Sequence, residues 1–307
     1  MNSTVRFGLI QMKVEADIFD KAVRKQNVQR AVEQMTSFLE QNENVDCVVL
    51  SEEFYAGAGY GPISLPDTID TVNEEVFKVF GPIAKKYNVY IIGEISAKLN
   101  VAEFKGNYVG FVIDRNGEVA GYQERFHQNP SEEAYSARAT EYKIFELDFG
   151  KVGLLLGVDL LFPEVARNFV LKGAEILISP VLCPGFKMSE GENQYPNCLI
   201  TNCAVARALE NQVFLVMVNS VGKFAHVDLD LFGESLVAGP KGLIKKLGDE
   251  EESALVEVNL SDKMDALRSY DLMEMRYPSA CIFDEVEKAE GSSEFDMFGC
   301  SNCDGCC

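Results

Sequence analysis

Seven continuous apolar runs alternate with stretches of helical periodicity, and no other feature of the chain restricts its fold so strongly. The runs are VRFGLIQM from Val5, VDCVVL from Val45, VYIIGEI from Val89, YVGFVID from Tyr108, VGLLLG from Val152, EILISP from Glu175 and VFLVMVNS from Val213. A strand with one face in water alternates apolar and polar residues; an unbroken run marks a strand covered on both faces. Between these runs, Val28, Ala31, Val32, Met35, Phe38 and Leu39 recur at helical spacing, and so do Val76, Val79, Phe80, Ile83 and Tyr87. The alternation predicts an α/β layered fold. IDRNGEV, from Ile113 to Val119, sets Asn-Gly between two apolar segments and predicts a hairpin, so the sheet is mixed.

The 307 residues carry 28 Lys+Arg against 48 Asp+Glu, a formal charge of −20. Nucleic acid and anionic membranes are bound through clustered basic residues, so both are excluded as partners. MNSTVRFGLIQM has no basic segment followed by an apolar one, so no signal peptide is expected, and no apolar run approaches the roughly 18–20 residues that cross a bilayer. A cytoplasmic location is expected. Composition changes near Asp284, where DEVEKAEGSSEFDMFGCSNCDGCC holds seven acidic residues and one Lys. The expected division is a folded domain over 1–283 and an acidic tail over 284–307.

Five of the nine cysteines are scattered through the body; Cys300, Cys303, Cys306 and Cys307 crowd the tip of the tail. Those four thiols suit a soft metal such as Zn²⁺, Cu(I) or an iron–sulfur cluster. Adjacent Cys306 and Cys307 fit one ion poorly, and a solvated tail of reduced thiols or a docking peptide are the alternatives. No other cofactor is expected.

Three stretches bear on chemistry. VVLSEEFYAGAGY places Glu52 and Glu53 directly after a buried strand, where a general base is often found and where an exposed loop acid is the plainer reading. GEVAGYQERFHQNPSEEAY brings Arg125, His127 and Glu132 together after another strand. VGLLLGVDLLFPEVARNFVLKGAEILISP reads as strand, tight turn, helix and strand, with Gly157 at the turn where a nucleophile commonly sits.

Taken together, in this order and spacing, these stretches resemble the nitrilase, or carbon–nitrogen hydrolase, superfamily over roughly residues 5 to 280. ARALENQVFLVMVNSVG from Ala206 and FGESLVAGPKGLI from Phe232 add two further matching segments. The resemblance implies a four-layer αββα sandwich of two mixed β-sheets flanked by helices, and a homodimer or higher homo-oligomer joined partly through NFVLKGAEI and a helix over about 193–210. It also implies a Glu–Lys–Cys triad that cleaves or forms non-peptide C–N bonds in amides, carbamoyl amines or nitriles. The thiolate attacks carbon, the glutamate moves protons and the lysine meets the developing oxyanion.

The match places Glu52 at the glutamate, Arg125 at the lysine and Gly157 at the cysteine, with a supporting glutamate at Glu132. The nucleophile is missing, and the lysine is replaced by a forked, permanently charged side chain. Arg125 is expected to pair with Glu52 and hold it ionised, and Gly157 to open space at the pocket floor beside the Val158 backbone N–H and His127. Loss of the thiol points first to a non-catalytic protein that binds a small molecule or serves assembly. The alternative is a C–N hydrolase working through Glu52-activated water or a relocated thiol such as Cys183.

Overall fold

The computed structural model of the chain describes residues 4–14, 21–55, 65–97, 106–129, 132–133, 136–185, 195–224 and 229–277. All seven apolar runs are inner strands of two six-stranded sheets. With strands numbered in chain order, the first sheet holds β1 (Thr4–Gln11), β3 (Cys47–Glu52), β4 (Tyr90–Ala97), β5 (Asn107–Ile113), β6 (Val119–Glu124) and β16 (Glu252–Asn259), in the spatial order β16-β1-β3-β4-β5-β6. The second holds β7 (Phe145–Leu147), β8 (Gly150–Leu154), β9 (Ile176–Pro180), β11 (Phe214–Val218), β14 (Leu236–Gly239) and β15 (Gly242–Lys246), in the order β15-β14-β11-β9-β8-β7. In each sheet three central strands run parallel, β1-β3-β4 and β8-β9-β11, with antiparallel strands outside them. A small four-stranded sheet links β2 (Lys13–Val14), β10 (Pro184–Gly185), β12 (Val221–Phe224) and β13 (Leu229–Phe232).

Three apolar layers explain the unbroken runs. Cys47 and Val49 face the second sheet, packing with Phe7, Ile92 and Val112 against Leu154, Leu156, Ile176 and Val216. Their neighbours Val48 and Leu50 face the opposite way, toward α1 (Lys21–Gln41) and α2 (Leu65–Tyr87), where they meet Ala31, Met35 and Phe80. On the far side, α3 (Pro163–Leu171) and α4 (Tyr195–Asn211) cover the second sheet, with Phe169, Ala204 and Ala208 against Leu177, Leu215 and Met217. The arrangement is the αββα sandwich expected from the sequence. The sheets approach closely at Gly110, where a Cβ would lie 2.6 Å from Leu156 Cδ2.

The Asn-Gly signal is the β5–β6 hairpin. Asp114 Oδ1 accepts the N–H groups of Asn116 and Glu118, and Gly117 takes φ +85°. The exposed helix α5 (Ser261–Ser269) follows β16. By its internal contacts the chain divides into a body, Met1–Leu272, and a second unit, Met273–Cys307, described only to Tyr277. The boundary read at Asp284 and the four tail cysteines lie outside the described residues. Among those residues no helix is long and apolar enough to cross a membrane.

Candidate functional site

Glu52 is the last residue of β3 and sits where the strand ends of the two sheets meet. Its N–H donates to Val181 O at 3.3 Å and its Oε2 accepts the Leu182 N–H at 3.0 Å, so the chain leaving β9 brackets it. Arg125, one residue past β6, is 2% exposed and stacks its guanidinium 3.7 Å above the Tyr108 ring. Its Nη1 donates to Glu52 Oε1 at 2.9 Å and its Nη2 to Glu132 Oε2 at 2.5 Å. Glu132 Oε2 also accepts the Asn129 N–H at 2.8 Å. Glu52 from one sequence stretch and Arg125 and Glu132 from another thus form one buried clasp.

Gly157 opens a five-residue 3-10 turn, Gly157–Leu161, with φ +48°. A Cβ built there would lie 2.8 Å from Glu52 Oε2, 2.9 Å from Glu52 Oε1 and 3.1 Å from Arg125 Nη1. The expectation that Gly157 opens space is therefore corrected. The Glu52–Arg125 pair has closed onto the glycine, and the volume a nucleophile's first carbon needs is occupied by its own would-be base. Val158 follows as the second residue of the turn and is half-buried.

The same turn carries Asp159, fully buried. Its Oδ2 accepts the Phe126 N–H at 2.9 Å, and its Oδ1 accepts the His127 N–H and meets His127 Nδ1, both at 2.8 Å. His127 stacks flat on Phe162, with ring centroids 3.6 Å apart and planes at 4°. The aspartate therefore fixes the chain just after Arg125, and His127 stands at the rim of the clasp rather than inside it.

Charge in the cluster is unbalanced. Arg125 feels Glu52, Glu132 and Glu94, three carboxyls for one cation. Burial works to lower the pKa of Arg125, but the surrounding carboxyls outweigh it and keep the guanidinium charged. Burial pushes Glu52 the other way, up to about 8; Arg125 and the Leu182 N–H pull it down, while Glu132 and Glu53 add to the rise. Desolvation is the first cause at Glu52, while at Arg125 three neighbouring carboxyls outweigh it. Arg125 and the Leu182 N–H therefore only partly offset the effect of burial on Glu52, and the cluster is more crowded than the simple pair expected from the sequence.

Cys183 lies beyond β9, its backbone pinned by Asn219, whose Oδ1 accepts the Cys183 N–H at 3.0 Å and whose Nδ2 donates to the Cys183 carbonyl at 3.4 Å. Burial, reinforced by Glu52, raises the thiol well above its ordinary range. Burial there disfavours the thiolate. Among the described residues no group of three or more His, Cys, Asp or Glu is arranged to hold a metal.

Glu94 was missed in the sequence. It is fully buried on β4, in register with Glu52 on β3, and neither of its oxygens has a hydrogen-bond partner among the described residues. The available signal was one acidic residue inside the apolar run VYIIGEI. Glu53, with φ +47°, donates its N–H to Glu94 O and accepts Ser96 Oγ at 2.8 Å, so it braces β4 rather than entering the clasp.

The carbon-nitrogen hydrolase family model matches residues 6–268. The chain belongs to that family, the nitrilase superfamily. It is 29% identical over 253 residues to a probable nitrilase of Schizosaccharomyces pombe, covering 80% of this chain and 87% of that one. A carbon-nitrogen hydrolase of Helicobacter pylori shares the fold with TM-score 0.79 and 22% identity, over 91% of this chain and 97% of that one. An amidase of Nesterenkonia shares it with TM-score 0.70 and 18% identity, over 89% of this chain and 97% of that one. In a glutamate variant, that amidase carries the acetamide moiety of fluoroacetamide covalently at its active-site cysteine.

Proposed function

We propose that this member of the carbon–nitrogen hydrolase family is non-catalytic and keeps its pocket to bind a small molecule. The observation that carries the reading is the collapse of Glu52 and Arg125 to within about 3 Å of the Cβ position of Gly157. The relative from Nesterenkonia bonds substrate carbon to a cysteine; this chain offers no sulfur at Gly157, and a Cβ there would have to displace the Glu52 carboxyl group. Losing a catalytic nucleophile typically removes several powers of ten in rate. Neither substitute for it fits the site. Glu52 gives its Oε1 to Arg125 and its Oε2 to the Leu182 N–H, so both oxygens are engaged where water would need a base, and burial raises the Cys183 thiol above its ordinary range.

Assembly as a homodimer belongs to the same proposal. Phe162, Leu171, Leu199 and Leu209 lie exposed on and beside α3 and α4, an outer face that a second copy would cover. The test is turnover by purified protein against short amides, carbamoyl amines and nitriles, with Glu52→Gln beside it. No product above the level of the variant is expected; steady turnover that Glu52→Gln abolishes would overturn the proposal.

A further inference from the structure

The chain's one Asn-Gly pair, Asn116-Gly117, turns the β5–β6 hairpin. Glycine, with no side chain, leaves its peptide nitrogen open to the asparagine before it, and the pair is prone to deamidation. In that reaction the Gly117 nitrogen attacks Asn116 Cγ and gives up its proton. The Cγ–Nδ2 bond breaks, and the side-chain nitrogen leaves with that proton as ammonia. Water then opens the cyclic imide at either carbonyl, giving aspartate or isoaspartate. Asn116 is exposed and Gly117 half-buried, so water reaches the pair.

Asp114 opposes the first step. Its carbonyl accepts the Gly117 N–H at 2.9 Å, which occupies the nitrogen that must attack. Its Oδ2 accepts Asn116 Nδ2 at 3.3 Å, and its Oδ1 accepts the N–H groups of Asn116 and Glu118 at 2.9 Å each. The Asn116 amide is thus held on a carboxylate and must leave it to meet Gly117. A nitrogen that loses its proton gains negative charge, and a neighbouring carboxylate disfavours that.

The fold is equally strict about the product. A Cβ at Gly81 would lie 2.6 Å from Gly117 O, and one at Gly117 would press on Gly81 O, so the hairpin tip meets α2 backbone to backbone. On the other side of the pair, Arg115 ties the hairpin to Asp46, Asp148 and the Asn88 carbonyl. Isoaspartate routes the main chain through the Asn116 Cβ and adds one methylene between these two fixed points. A close-packed contact yields to an added methylene only by shifting. Aspartate leaves the main chain unaltered. We propose that Asn116 is a deamidation site which Asp114 holds in check, and that its isoaspartate form unseats the hairpin from α2. The site stands apart from the clasp and from any turnover there.

Full-length protein aged in mildly alkaline buffer, folded or in guanidinium chloride, tests the restraint. Peptide mass mapping with isoaspartyl methyltransferase labelling reads the loss of the Asn116 amide. Loss is expected to be at least about tenfold slower in the folded chain, the worth of one hydrogen bond to a charged group. Asp114→Ala is expected to recover most of that factor while folded. Should it not fold, Asp114→Asn, which keeps acceptors and drops the charge, is expected to recover part of it. Equal loss in folded and denatured chains, or a folded Asp114 variant that ages no faster than the wild type, would overturn the restraint. The isoaspartate form, separated chromatographically from aged protein, is expected to unfold at lower denaturant than Asn116→Asp, which has the same charge on an ordinary main chain. Coincident unfolding curves would overturn the claim that it unseats the hairpin.

Discussion

Two arginines hold the first sheet together at its opposite ends, and they are built from the same parts. Arg115, in the β5–β6 hairpin, stacks 4.9 Å above the Tyr90 ring; Arg125, past the hairpin's second strand, stacks 3.7 Å above Tyr108. Each joins two carboxylates, Asp46 and Asp148 for the first, Glu52 and Glu132 for the second. All three nitrogens of Arg115 are used, Nε and Nη2 on Asp148 and Asp46, Nη1 on the Asn88 carbonyl. It borders an open groove of about 900 Å³ in which Arg6 is paired with Glu257 as well. Arg125 instead has, among the described residues, no hydrogen-bond partner for its Nε, and it sits beside a third carboxyl, Glu94, whose oxygens likewise have none. A charged cluster that satisfies itself fastens the fold. One left in deficit under full burial is where the fold has yielded to something else.

Removing the two guanidiniums separates these roles most sharply. Arg125→Met strands Glu52 and Glu132 without a cation, a change that costs about 3–5 kcal/mol. Arg115→Met leaves Asp46 and Asp148 partly solvated and is expected to cost about 1–2 kcal/mol. Denaturant midpoints at fixed pH would show the gap, and equal losses would dissolve the distinction.

The next effect is on pH. Glu52 titrates at about 8 in the folded chain against about 4.5 unfolded, and Glu94 is displaced upward too, first by burial and then by Glu52. Both bind protons more tightly folded than unfolded. The contribution of Glu52 to stability is whole below about pH 4.5 and is lost as pH climbs through about 8, and that of Glu94 declines with rising pH in the same direction. Glu94→Gln keeps the shape of the protonated acid without its ionisation. It is expected to flatten this decline, matching the wild type near pH 4.5 and exceeding it in stability as the pH rises. Thermal unfolding across that range reads the result, and parallel curves would refute it.

Gly157→Cys follows at about 1–3 kcal/mol. Its Cβ must displace the Glu52 carboxylate from under 3 Å, and φ +48° disfavours any side chain. The variant is expected to gain a thiol without gaining amide turnover, since Arg125 still occupies Glu52. Restored hydrolysis would mean that the pair opens readily when sulfur returns.

The arginine at the hairpin and the one at the clasp also differ in how far the sequence disclosed them. The layers were legible because Val48 and Leu50 face helices while Cys47 and Val49 face the other sheet, which forces an unbroken apolar run. The clasp was legible in membership, since Glu52, Arg125, Glu132 and Gly157 fall on matching motif positions. What it does was not. Ionisation of Glu52 depends on how many carboxyls share Arg125, and Glu94 enters that count only through strand register. Space beside Gly157 depends on how far Arg125 draws Glu52 inward, a tertiary distance with no local signal. The role of Asp159 was hidden likewise, because its partners Phe126 and His127 lie more than thirty residues away.

The smallest test sits at the self-satisfied end. Asp148 is 54% exposed at its side chain and meets Arg115 at 2.7 Å, while Asp46 and the Asn88 carbonyl hold the other nitrogens. Water competes for an exposed carboxylate, and salt screens what remains. Asp148→Asn is therefore expected to cost no more than about 0.5–1 kcal/mol in dilute buffer and nothing measurable in about 1 M salt. Glu132→Gln makes the matched change at the other arginine, where the carboxyl is only 10% exposed and salt cannot enter. Its effect is expected to be larger and indifferent to ionic strength. If both losses faded together with salt, the clasp would be as wet as the hairpin, and its deficit of charge would be met by solvent rather than by protons or a ligand.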